Sequence, residues 1–220
     1  MITGSSPVPD SELSEPSGGA RLIAFADAVI AIAITLLALD LPVPTGHTAD
    51  ELWTSVRQDA GHYLSFLISF GVIAALWHEH HRVFQYLERS DGRLRVLTVW
   101  WLMTIVLVPF ASRLLTANPD SDQVVHGIMF SFYAVNQVLA GSLFLLTVRH
   151  GASAGLFSDR MPHRLRAVTD RDALGLAAGF AISIPVLFVT EWGWLLWVVI
   201  PPVAGRWARR RSAKIPMPED

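Results

Sequence analysis

The sequence has no cysteine in 220 residues. That excludes a disulfide framework, a thiolate metal site and a cysteine nucleophile. Charge is also scarce: Asp, Glu, Lys and Arg make up 16% of the chain, where an ordinary globular domain carries about 25%. A surface so poor in charge cannot face water on every side. The formal net charge of −2 lacks the basic excess that marks a nucleic-acid binder, so no nucleic-acid partner is expected. Neither a Walker-type Gly-rich phosphate loop nor a G-x-S-x-G elbow occurs. What is abundant is apolar. Hydrophobic residues reach 52%, eight tryptophans are present, and the mean hydropathy is +0.41. These figures predict an all-α, polytopic membrane protein.

A spanning helix needs roughly 17–25 mostly apolar residues, since each adds about 1.5 Å against a core of about 30 Å. Six stretches qualify or nearly so. Residues 22–39 contain one ionisable group, Asp27, while 61–77, 96–112, 124–148 and 173–190 contain no Asp, Glu, Lys or Arg. The sixth, 192–205, is the shortest and includes Pro201 and Pro202. Residues 1–20 hold Asp10, Glu12 and Glu15 but no Lys or Arg, unlike the basic start of a secretory signal. The first hydrophobic stretch is therefore expected to be retained, preceded by a disordered cytoplasmic leader over 1–20. Residues 21–205 then form the transmembrane domain and 206–220 a basic cytoplasmic tail.

Basic residues predict the orientation, because Lys and Arg collect on the cytoplasmic side. With the N-terminus inside, Arg21, the turn with Arg82, Arg89, Arg93 and Arg95, the loop from Arg149 to Arg171 and the tail all lie on one side. Only Arg57 and Arg113 fall on the other, among Asp50, Glu51, Asp59, Asp120, Asp122 and Glu191. Both termini are expected to be cytoplasmic in a multi-pass cell (inner) membrane protein. The tail, with Arg206, Arg209, Arg210, Arg211 and Lys214, anchors that topology and attracts anionic lipid.

The first hydrophobic helix is unusual. At 100° per residue, Ile32, Thr35, Leu36 and Leu39 share an arc of about 100°, with Phe25 on the same side. Asp27 points about 130–160° from that stripe, toward neighbouring helices. Ala24, Ala26, Ala28, Ala31, Ala33 and Ala38 permit close approach, so this helix is expected to be packed on most sides. Two readings of Asp27 remain: a hydrogen-bonded carboxylate tying helices together, or a proton relay or ion ligand. The second helix ends Trp77-His78-Glu79-His80-His81. His78 and His81 share a face, but lack the spacing of a zincin site, so no metal is expected and hydrogen bonding to Asp27 or to the first helix is. Histidine also titrates near neutrality, which leaves a pH-sensing role open. Pro109 and Pro185 predict kinks. Gly175 and Gly179 form a GxxxG match, and Asn136 and Gln137 act as polar ties between helices.

Arg21-x-x-x-Phe25-Ala26-Asp27, followed by Ala31-Ile32-Ala33-Ile34-Thr35-Leu36-Leu37-x-Leu39-x-Leu41-x-Val43-Pro44, resembles the first-helix signature of the transmembrane protein 175 family, with Ala26 where serine is usual. The second-helix ending with Trp77, His78 and His81 is similar too. The resemblance implies a homotetramer of six-helix subunits around a central pore lined by the first helix. It maps the pore-lining constriction onto Ile32, Thr35, Leu36 and Leu39, and a packing network onto Arg21, Phe25, Asp27, Trp77, His78 and His81. It also implies no enzymatic activity and no cofactor. The permeant ion would be K+, passing transiently near Thr35, with weak discrimination among monovalent cations. The rival expectation is a proton-coupled secondary transporter using Asp27, His78 and His81.

Overall fold

A computed structural model describes residues 18–117 and 122–190, together with Trp197. Among the described residues seven helices follow in order: α1 (Gly18–Leu39), α2 (Ala49–Gln58), α3 (Ala60–Phe84), α4 (Gly92–Val106), α5 (Val108–Leu114), α6 (Gln123–Ser153) and α7 (His163–Leu187). Among the described residues four segments are long and apolar enough to cross a membrane: α1, α3, α4 continued by α5 (Gly92–Leu114), and α6. They coincide with the first four predicted spans. The fifth predicted span is helical in α7, which begins ten residues earlier than 173 and so takes in a polar first half. The sixth, 192–205, lies outside the described residues except for Trp197, as do most of the expected leader and the whole tail.

Local chemistry accounts for the ends. Asp91 caps α4 by accepting from Leu94 N at 2.7 Å, and Asp122 caps α6 by accepting from Val125 N at 2.9 Å. Gly155, with φ +63°, turns the chain out of α6 in a conformation that costs other residues their Cβ clearance. Pro109 does more than kink the third span. It lacks the N–H that would continue the ladder, and α4 stops at Val106 while α5 restarts at Val108. Asn136 of α6 donates to the Thr104 carbonyl at 3.0 Å, one turn before that break. Pro185 stays inside α7, whose helix ends two residues later.

The helices interlock through rings and small residues, since lipid offers no hydrophobic drive for helices to associate. Trp101, Tyr133, Phe84 and Phe180 are fully buried. His80 is stacked between Phe84 (ring centroids 4.1 Å) and Trp101 (5.0 Å), and Trp101 continues to Phe144 at 5.5 Å. Trp197 stacks on Tyr133 at 4.9 Å and donates to Ser183 Oγ at 2.8 Å. α6 and α7 approach closely at Gly141, where an added Cβ would lie 3.4 Å from the Ala173 carbonyl.

The two sides of the bundle differ in the way the charge distribution predicts. On one side the α3–α4 and α6–α7 connections are stitched together. Glu88 N and Arg89 N donate to Leu156 O, Ser158 N donates to Tyr86 O, and Leu87 pairs with Phe157 in a short antiparallel bridge. Arg89 adds a hydrogen bond to Gly155 O at 3.1 Å. Gly19, near the start of α1, lies against the same segment, where a Cβ would sit 2.8 Å from Leu87 O. The basic loops and the start of α1 therefore share one side. On the opposite side Arg113 pairs with Asp40 just after α1, and Tyr63 OH donates to Pro42 O at 2.9 Å.

Candidate functional site

α1 turns a narrow face inward. Gly19, Leu22, Ala26, Ile30, Ala33 and Leu37 are its buried residues. They fall on one arc centred about 130° from the Ile32–Thr35–Leu36–Leu39 stripe. The stripe itself is uncovered: Ile32 is 58%, Leu36 44% and Leu39 79% exposed, and Thr35 is exposed beside them. Ala24, Ala28, Ala31 and Ala38 are exposed as well. The expectation that α1 is packed on most sides is thus corrected for the single chain. Its own subunit covers one side, through Ala26 and Ala33, and leaves a broad apolar sector open.

Thr35 is oriented in a definite way. Its hydroxyl donates to Ile32 O at 2.8 Å, back along the helix. With the proton used there, the oxygen lone pairs are directed away from the helix, and an exposed Thr35 presents an acceptor. The stripe is thus an apolar surface interrupted by one electron-rich oxygen.

Of the six residues expected to form a network, three are brought together. Trp77 Nε1 donates to Asp27 Oδ1 at 3.1 Å, and the Trp77 ring stacks on His81 at 5.7 Å. The expected histidine-to-Asp27 hydrogen bond is replaced by this indole bond. His81 reaches the pair only through the ring, and His78 is exposed on the adjoining turn. Arg21 and Phe25 are exposed too, Phe25 by 52%. Ala26 is completely buried between α1 and its neighbours, so a serine hydroxyl there would face the helix packing and not the stripe.

Two buried polar features escaped the sequence reading. His80 is fully buried, and neither ring nitrogen has a hydrogen-bond partner among the described residues. The signal was available: His80 lies four residues after Leu76 and seven after Ile73, on the buried face of α3. The second feature is a hydroxyl cluster. Ser65 Oγ lies 2.7 Å from Ser112 Oγ, and Ser69 Oγ lies 3.0 Å from Ser112 Oγ and 3.2 Å from Tyr133 OH. It joins α3, α5 and α6, and the four-residue spacing of Ser65 and Ser69 hints at it.

Known proteins resemble this chain along most of its length. The family model described as the endosomal/lysosomal potassium channel TMEM175 matches residues 21–109. A potassium channel of Streptomyces collinus is 33% identical over 172 residues, which cover 77% of this chain and 82% of that one. A potassium channel of Chamaesiphon minutus is 30% identical over 190 residues, covering 82% and 90%. The crystal structure of a lysosomal potassium-selective channel TMEM175 homolog from Chamaesiphon minutus superposes with a TM-score of 0.69 at 28% identity, over 87% of this chain and 97% of that one.

Proposed function

This chain belongs to the TMEM175 channel family, and from that membership we propose that it is a potassium channel of weak monovalent-cation selectivity whose pore is lined by α1. The relatives are ion channels, not enzymes. The proposed assembly is a homotetramer of six-span subunits in the cell (inner) membrane, with both termini cytoplasmic, surrounded by lipid and needing no cofactor.

The observation that carries this reading is the uncovered stripe on α1. A helix with little charge, an open apolar sector and small residues at Ala24, Ala28, Ala31 and Ala38 is suited to meet copies of itself. Four such stripes around an axis would place rings of Ile32 and Leu36 across the passage, with Thr35 between them and Leu39 beyond. Apolar rings impede ions by shedding water. They cannot replace a hydration shell, so passage is hydrated or partly hydrated and selectivity modest. The lone pairs of Thr35 supply the polar contact that distinguishes one cation from another. Asp50, Glu51 and Asp59, near the end of α1 marked by Asp40, raise the local cation concentration over a screened range of about 8–10 Å.

Asp27 fits a different task. Its carboxylate is engaged by Trp77 across the α1–α3 contact, which favours a structural tie over the proton relay that a transporter would need. Current recorded from the purified protein in a planar bilayer, with potassium on one side and sodium on the other, tests the proposal. The expected result is an ohmic current with a reversal potential displaced moderately toward potassium. Flux that saturates with ion concentration and follows a proton gradient would overturn it in favour of the transporter.

A further inference from the structure

Helix α2 corresponds to none of the predicted spans, and none of its residues is buried. It is nevertheless well specified. Thr48 caps it by accepting from Glu51 N, Asp50 and Glu51 occupy its first turn, and Arg57 its last, the charge order that suits the helix dipole. Its apolar residues Ala49, Leu52, Trp53 and Val56 share about 100° of circumference. Leu52 is 44% and Trp53 58% exposed, and the Arg57 guanidinium lies 5.5 Å from the centre of the Trp53 ring.

The loop entering α2 covers its polar flank instead. Ser55 Oγ accepts from Thr45 N at 3.2 Å, and Glu51 Oε2 accepts from His47 N at 2.8 Å. Among the described residues nothing buries the ridge: Ala49, Leu52 and Trp53 are exposed and Val56 is half-buried. Its level in the bundle is constrained, because α2 links the end of α1 to the start of α3, and both of those helices are long and apolar enough to span. α2 therefore sits where two spans leave the hydrocarbon.

We propose that α2 is an interfacial helix lying along the phospholipid–water boundary on the side opposite the basic loops. Leu52, Trp53 and Val56 enter the acyl boundary by about 5–10 Å, and Arg57 reaches up to lipid phosphate. Tryptophan and arginine suit that layer, the ring bridging apolar and wet regions and the guanidinium finding an anion. So placed, α2 fixes the level at which the chain leaves α1. The proposal requires only that α1 and α3 span; it does not depend on conduction.

The absence of cysteine permits a clean test. Each residue from Ala49 to Gln58 is replaced in turn by cysteine, labelled with a nitroxide and placed in vesicles of phosphatidylethanolamine and phosphatidylglycerol. Collision with oxygen, which concentrates in lipid, is compared with collision with a water-soluble nickel chelate. Oxygen access is expected to peak at 49, 52, 53 and 56, and nickel access at 50, 54 and 58. Uniform nickel access would overturn the proposal by placing α2 in water. Exclusion of both probes along the ridge, with dipolar broadening between labels, would overturn it by placing a second copy there. A helical oxygen pattern in a chain that passes no current would support this proposal while removing the channel reading.

Discussion

Trp77 and Asp27 meet across fifty residues of sequence: the indole N–H of α3 donates to the carboxylate of α1 at 3.1 Å. The bond lies toward the end of the bundle where the basic loops gather, and it holds α1 against α3 while the opposite sector of α1 stays open. Trp77→Phe keeps the ring and removes the donor. It should lower stability by about 0.6–1.7 kcal/mol, the usual range for a hydrogen bond between membrane helices. Asp27→Asn, which retains an acceptor, should cost less. Thermal unfolding in detergent measures both, and a Trp77→Phe protein as stable as the parent would show that the bond holds nothing.

Thr35→Val preserves shape and deletes the oxygen. If the Thr35 lone pairs contact the ion, the potassium-to-sodium permeability ratio should change severalfold while expression and assembly stay unchanged. Reversal potentials under bi-ionic conditions give the answer. Identical values in the two proteins would remove Thr35 from the selectivity mechanism.

Ile32→Ala shortens an exposed side chain on the stripe. In a ring of four it should widen the passage, ease wetting and raise unitary conductance. Because Ile32 touches little within its own subunit, the isolated fold should tolerate the change. A smaller or unaltered current would mean that Ile32 faces lipid or a seam.

Asp91 links pH to stability. Its carboxylate is held below the ordinary value of 3.8, first by the Leu94 N–H it caps and then by the hydrogen bond with His150. A carboxylate whose folded value is depressed stabilises the fold above its unfolded value, and that contribution is lost as pH falls through the folded one. Asp91→Ala should therefore melt a few degrees below the parent at neutral pH. The gap should close as pH falls below 3.8. A gap that persists in strong acid would assign the loss to packing alone.

The first four spans were readable because about 30 Å of hydrocarbon demands long uncharged runs, and α1, α3, α4 with α5, and α6 supply them. The stripe of Ile32, Thr35, Leu36 and Leu39 was readable because a fixed 100° step decides which residues share a face. Helix α2 was missed: ten residues of mixed character between two strong hydrophobic runs give a weak signal, and its Thr48 cap and apolar ridge emerge only on a helical wheel. The histidines at the end of α3, expected to bond Asp27 or another part of α1, leave Asp27 to Trp77, since which side chain reaches across depends on the rotation of α3 against α1. The burial of His80 follows from the same rotation.

Composition and periodicity by themselves settled the all-α membrane class, the place of the main spans and the gathering of basic loops on one side. Each is a local property, set by solvent chemistry acting on a run of residues. Only the tertiary structure decided that α1 hides Ala26, Ile30 and Ala33 and leaves the Thr35 stripe open, that Trp77 secures Asp27, and that Leu52 and Trp53 of α2 stay exposed among the described residues. Those outcomes depend on how rigid helices rotate and shift against one another, and packing between distant segments, which no local run encodes, selects the rotation.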